Sequence, residues 1–427
     1  MKSKPDPMSA AHVLTVASAP LGGDDPAGRL VVRALLAEGV PVASRQIVDE
    51  AEAALEPALA GALAAGGVVV VLAPPGGSAG DIVRRTLARL TGARLMLNDK
   101  LLALLEEDFA RRGQAMPHRQ DRLALLPQGA ALWTAPSGEP GWALETREAV
   151  IVVLPLGSAH LAVLIAERLR PLARQRLAGA GAGVLRTLLT AGLSPADAED
   201  RLGSWLGKPG PVSISSVVVD GDVWVRLLAR GSSRPAALAE LAPVEAAVRA
   251  ALGHDCYGSD EDTLEAAVGQ LLVERALTVS VAESCTGGLL GHRLTNISGS
   301  SRYFERGVIV YSNRAKEELL GVPTPLLVAH GAVSAPVAEA MATGICRVSG
   351  SPCGLAVTGI AGPDGGTPTK PVGTVFIAAA SPSGVEVGHF RFPGGRDAVK
   401  WRSAQSALDM LRRALVRSPA PRADTRT

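Results

Sequence analysis

An excess of charge of one sign is missing from this chain. Its 43 lysines and arginines stand against 41 aspartates and glutamates, a net charge of +2 over 427 residues. No block of like charges forms a basic arm, so nothing points to nucleic acid as a partner. Cysteine is scarce: Cys256, Cys285, Cys346 and Cys353 form neither a C-x-x-C pair nor a regular framework. Reduced thiols in a cytoplasmic protein are expected. Metal-ligand spacing of His, Cys, Asp and Glu is absent, and no cofactor is expected. The uncharged, largely apolar run 149–166 is broken by PLGSAH, so Pro155 and Gly157 make it strand, loop and helix instead of a membrane span. The opening MKSKPDPMSAAHV has no long apolar core behind its lysines and does not read as a secretion signal. G-x-x-x-x-G-K-[ST] is lacking, as is any G-x-G-x-x-G leading from strand to helix. Those absences remove the nucleoside triphosphate and dinucleotide fingerprints.

What is present describes a globular protein. Hydrophobic residues make up 47% and charged residues 20%, and the length exceeds one ordinary core. Residues 1–170 alternate strand-like runs (HVLTVAS, PVASRQIV, GVVVVLAP) with helix-like ones (AGRLVVRALLAEG, EAALEPALAGALAAG). This spacing predicts βαβ units and a parallel sheet covered on both faces. Two further strands with a charged turn are expected in GWALETREAVIVVLP. Residues 171–258 read as a small α+β unit. There AGVLRTLLTAGLSPADAEDRLGSWL is expected to be helical, with Ser194 as a cap, and PVSISSVVVDGDVWVRLLAR is a hairpin on its Asp-Gly turn. Residues 259–416 form a third α/β unit, and 417–427 a disordered tail.

Three loops of the third unit share one design: an apolar strand ends in small and polar residues. They are AESCTGG (282–288), YSN (311–313) and TGIAGPDGG (358–366). Ligands of α/β sheets sit beyond the carboxyl ends of strands, so the three are expected to border one crevice. Gly287 and Gly288 precede a helix, where bare amides make an anion site, with Ser284 and Thr286 adding hydroxyls. The same residues also suit an ordinary capped turn. TGIAGPDGG permits close approach of a ligand, or is simply a hairpin loop.

The stretch GSSRYFERGVIVYSNRAK (299–316) carries Ser301, Tyr311 and Lys316. A serine hydroxyl needs a base, and a lysine at a helix start serves when burial lowers its pKa. Tyr311 is placed to relay the proton or to fix the lysine. The alternative is a strand end, an Asn cap and a surface lysine. Ten extended residues separate Ser301 from Tyr311 by about 30 Å, so SSRYFE must turn or the site must be shared between subunits. Cys285, in its glycine-rich loop, is a rival nucleophile; Cys346 and Cys353 read as core. A Ser–Tyr–Lys dehydrogenase is disfavoured: it needs Tyr-x-x-x-Lys, one residue shorter than here, and a nucleotide fingerprint.

AESCTGGLL, GSSRYFERGVIVYSNRAKEELLGV, HGAVS and TGIAGPDGG, in this order over about 260–416, resemble the CinA family and its C-terminal nicotinamide-nucleotide amidohydrolase domain. The resemblance implies hydrolysis of nicotinamide mononucleotide to nicotinate mononucleotide and ammonia, without a cofactor, by a homodimer of the family type acting on a small nucleotide and on neither nucleic acid nor membrane. It implies Ser301, Tyr311 and Lys316 as catalytic residues. It also implies Glu283, Ser284, Thr286, Gly287, Thr358, Gly359 and Gly362 near the ligand, with Arg396 beside its phosphate. Residues 171–258 resemble the family's KH-like middle unit. Residues 1–170 resemble a three-layer, molybdopterin-binding-like domain that in relatives carries a metal-dependent ADP-ribose pyrophosphatase. Its Thr-Gly-Gly-x-Gly-Pro-Thr loop reads LAPPGGSAGDIV here, with Ala73, Pro74 and Pro75 in place of the threonine and first glycines and only Asp81 left of an acidic pair; the early turn has become ASAPLGG. Prolines donate no amide to a phosphate, so this domain is expected to be catalytically idle. The competing expectation is a scaffold that binds nucleotide without turnover.

Overall fold

A computed structural model describes residues 10–17, 25–117, 119–134, 139–176 and 182–417. The ASAPLGG turn, apart from Ala17, and the tail from 418 onward lie outside the described residues. The chain divides into two compact units, one of residues 1–185, 210–212 and 228–243, the other of 186–209, 213–227 and 244–427.

The first unit is built on β1 (Ala11–Val16), β2 (Val42–Val48) and β3 (Gly67–Ala73). A short antiparallel pair, β4 (Leu95–Leu97) and β5 (Leu125–Pro127), follows. Then come β6 (Ala131–Trp133), β7 (Gly141–Glu145) and β8 (Ala149–Pro155), giving a six-stranded sheet in the order β2-β1-β3-β8-β7-β6. The β1–β2, β1–β3 and β3–β8 pairs are parallel, whereas β7 runs antiparallel to both neighbours. Side chains of β3 alternate between two cores. Val68, Val70 and Leu72 pack with Val31, Leu35 and Leu164 on one face, and Val69, Val71 and Ala73 with Leu55, Leu59 and Leu87 on the other. That two-sided burial is why β3 reads as an unbroken apolar run, and it gives the three-layer α/β arrangement.

The next sheet, in the order β10-β11-β9-β12, comprises β9 (Ala182–Thr190), β10 (Val212–Val219), β11 (Asp222–Gly231) and β12 (Cys256–Ser259). The expected helix over 182–206 is therefore corrected. Its first part is strand β9, laddered with β12 through Thr190 opposite Cys256 and Leu188 opposite Ser259. Only Pro195–Leu202 is helical, with Ser194 Oγ capping it by accepting from the Asp197 amide at 3.1 Å. Sheet pairing here outweighs the helix propensity of the Leu- and Ala-rich stretch.

The last sheet consists of β13 (Val279–Glu283), β14 (Phe304–Ile309), β15 (Cys353–Gly359), β16 (Thr374–Ser381) and β17 (Gly384–Arg391), in the order β14-β13-β15-β16-β17. β13 is parallel to both β14 and β15, with Glu283 opposite Ile309 on one side and Val357 on the other. One face packs Val281, Leu355 and Ile377 against Leu272, Leu290 and Leu408; the other packs Ala282, Ala356 and Ala378 against Val337, Ala338 and Ala342. The parallel register brings the carboxyl ends of β13, β14 and β15 to one edge. The loops 284–288, 310–312 and 360–366 therefore open side by side there.

Candidate active site

β14 ends at Ile309, and the chain continues through Val310, whose amide donates to the Glu283 carbonyl at 2.8 Å. Ser312 caps the next helix, Asn313–Leu320, its Oγ accepting from the Ala315 amide at 3.1 Å. The cap is thus Ser312, one residue before the expected asparagine. Lys316 follows one turn into that helix, so its side chain turns back toward the strand ends. It is 1% exposed. Its Nζ donates to the carbonyls of Val310 at 2.8 Å and Tyr311 at 3.3 Å, and lies 3.2 Å from Ser284 Oγ. Burial lowers the lysine pKa below its ordinary value, opposed only by the Cys285 thiol. That thiol is itself pushed up to about 12 by burial and so carries no charge near neutrality to hold a proton on the amine.

Ser284 follows β13 directly, its amide donating to the Val357 carbonyl at 2.9 Å. The Gly287 amide bonds back to the Ser284 carbonyl at 3.2 Å, closing a tight turn with Gly287 at φ +61° and Gly288 at +98°. Glycine alone adopts such backbone readily. Among the described residues, no hydrogen bond to another residue uses the amides of Cys285 or Thr286. Thr286 is fully buried and its Oγ1 has no hydrogen-bond partner.

Glu283 turns back on its own chain. Its carboxylate accepts from the amides of Gly288 (2.9 Å), Leu290 (3.1 Å) and Gly291 (2.8 Å) at the start of helix Leu289–Thr295. The bare amides expected to form an anion site are already taken by this internal carboxylate, an arrangement that also satisfies the helix end. Thr358 is buried and donates to the Ala332 carbonyl at 2.8 Å. Gly359 is a packing glycine: a Cβ there would lie 2.7 Å from Val375 Cγ2. The Gly362 carbonyl accepts from Arg396 Nη1 at 2.8 Å, and Arg396 Nη2 donates to Tyr311 Oη at 3.3 Å. Tyr311 thus meets the lysine through its carbonyl, while its phenol stands 62% exposed beside Arg396.

Ser301 is elsewhere. It sits exposed in the turn Ser300–Arg302, before β14, the Tyr303 carbonyl accepting from the Val279 amide at the amino end of β13. The helical turn expected in SSRYFE forms, but the six residues of β14 then separate Ser301 from Tyr311, about 20 Å at the rise of a strand. Within the chain, Lys316 meets Ser284 and not Ser301. Sequence reasoning placed Ser284 only among the ligand contacts; the signal for a larger role was that AES and VYS end neighbouring parallel strands. It missed Lys400, whose Nζ a methyl group at Gly287 would meet at 3.8 Å.

The site thus belongs to an α/β unit with a polar cluster at the carboxyl edge of a mixed sheet. The sequence model of the CinA C-terminal domain matches residues 261–415, and that of the damage-inducible protein CinA KH domain matches 185–258. A CinA-like protein of Geobacter sulfurreducens is 40% identical over 394 residues, 92% of this chain and 95% of its own. A CinA-like protein of Synechococcus sp. is 36% identical over 417 residues, covering 96% and 99%. The chain belongs to the CinA family. A crystal structure of the competence/damage inducible protein CihA from Agrobacterium tumefaciens is similar to 36% of this chain and 93% of its own, at 42% identity and a TM-score of 0.35.

Proposed function

We propose that the chain hydrolyses the carboxamide of nicotinamide mononucleotide, giving nicotinate mononucleotide and ammonia, with Ser284 as nucleophile and Lys316 as base. One observation carries this reading: a buried lysine amine 3.2 Å from a serine hydroxyl at the carboxyl end of a strand. A neutral amine has two N–H donors and one lone pair. The carbonyls of Val310 and Tyr311 take the two donors, and the lone pair is left to accept the Ser284 hydroxyl proton.

Ser284 Oγ then attacks the carboxamide carbon, and the carbonyl oxygen becomes an oxyanion for which the amides of Cys285 and Thr286, which donate to no other residue, are the nearby donors. Lys316, now protonated, returns the proton to the departing nitrogen; the C–N bond breaks and ammonia leaves. Water, deprotonated by the same amine, attacks the resulting ester and releases the carboxylate and Ser284. Tyr311 and Arg396 stand at the mouth, where a charged nucleotide enters. The N-terminal unit has no part in this step. Its Asp81 is held by Arg84 and by Arg122 at 3.1 Å, and the nearby cavity of about 250 Å³ is lined largely by apolar groups such as Val83, Leu101, Phe109 and Trp142.

Ammonia release from nicotinamide mononucleotide by Ser284→Ala, Cys285→Ala and Ser301→Ala tests the assignment. Loss of about 10³-fold or more is expected for Ser284→Ala alone. Loss in Ser301→Ala with Ser284→Ala active overturns it.

A further inference from the structure

Resting on that reading, we infer that Lys400 is a specificity-determining residue, which binds the anionic end of the substrate and so selects a phosphorylated nucleotide over the free nucleoside. Three cations project from the first two turns of the helix Arg396–Arg417: Arg396, Lys400 and Arg402. Two are committed to neutral oxygens. Arg396 donates to the Gly362 carbonyl and Tyr311 Oη, and Arg402 to the carbonyls of Pro393 and Asp220. Lys400 has no hydrogen-bond or ion-pair partner among the described residues. It lines an open groove with Leu289 and Trp401; Asp220 and Asp397 line the same groove, and neither is ion-paired to it.

The position of this ammonium relative to the dyad sets the ligand's length. The hydrogen bond from Gly287 to Ser284 holds their Cα atoms within about 7 Å. A methyl at Gly287 would meet Lys400 Nζ at 3.8 Å. The ammonium therefore stands no more than about 15 Å from the nucleophile, a limit that admits the span of a heteroaromatic ring and a pentose. A ring amide at Ser284 carries a 5′-phosphate to Lys400, past a glycine that leaves the path open. Arg396 and Lys400 stand four residues apart on one face of the helix.

The test compares nicotinamide mononucleotide with its dephosphorylated riboside on the full chain, as the ratio of their kcat/KM values. Lys400→Ala is expected to reduce that ratio about 10–100-fold, the size of a lost charge-assisted phosphate contact, and Lys400→Arg to retain most of it. An unchanged ratio in Lys400→Ala, or equal losses for both substrates, overturns the inference. If the wild type releases no ammonia from either, the amidase reading fails separately. Lys400 is then judged by calorimetric binding of nicotinate mononucleotide against its riboside. The same selective loss upholds its role, and equal affinities in wild type and Lys400→Ala refute it.

Discussion

Lys316 and Ser284 lie 32 residues apart in sequence and 3.2 Å apart in space, Nζ to Oγ, with the lysine almost wholly buried. The contact exists because β13 and β14 are parallel neighbours that end level. An amine so placed has one productive state, the neutral one. Activity is therefore expected to rise with pH through the depressed pKa of Lys316, as the basic form becomes populated. Lys316→Arg, which holds its proton at any working pH, is expected to lose about 10³-fold or more. A pH–rate profile of kcat/KM checks both. A rate that is flat across the range in which the amine titrates would remove Lys316 from the base's role.

The same burial has a consequence for stability. The folded-state pKa of Lys316 is lowered by desolvation, so folding is penalised wherever the folded chain must hold this buried charge. The unfolded chain binds the proton more tightly, and stability from this group rises as pH climbs from the folded pKa toward the ordinary value of 10.5. Each tenfold difference in proton affinity is worth about 1.4 kcal/mol. Urea denaturation of wild type and Lys316→Met at pH 7 and pH 10 is expected to show the difference between them moving in favour of the wild type at the higher pH. Movement the other way would mean that the amine is held charged.

Glu283 is expected to act on the fold and not on substrate contact. Its carboxylate accepts three amide hydrogen bonds, and a glutamine there turns an NH₂ group toward amide donors. Glu283→Gln is expected to lose about 1–3 kcal/mol of unfolding free energy, read by urea denaturation at neutral pH. Unchanged stability, with only KM raised, would show the carboxylate to be free for the ligand.

Much of this was legible in the sequence. The alternation of strand-like apolar runs with helix-like ones predicts the parallel sheet, covered on both faces, of the first unit. The shared endings of AES, VYS and TGIAG predict one crevice at the carboxyl edge. Lys316 stood out because it opens a helix straight after a strand. Three things were not legible. β9 resembles a helix locally and becomes a strand only through its partners. The choice between Ser284 and Ser301 depends on which edge of the sheet each occupies, Ser284 after the carboxyl end of β13 and Ser301 before the amino end of β14, which spacing along the chain cannot report. Glu283 escaped for a related reason: its hydrogen bonds go to its own following loop, and the acidic residue and the glycines beside it look alike whether they bind a ligand or each other.

The most direct measurement is the location of the covalent intermediate. Acid quench of the full chain in the first turnovers with nicotinamide mononucleotide, followed by proteolysis and residue-resolved fragmentation, reads which side chain carries the nicotinoyl ester. The account requires the added mass on Ser284, and its disappearance in Ser284→Ala. An adduct on the neighbouring Cys285, or on Ser301 at the far end of β14, would contradict it.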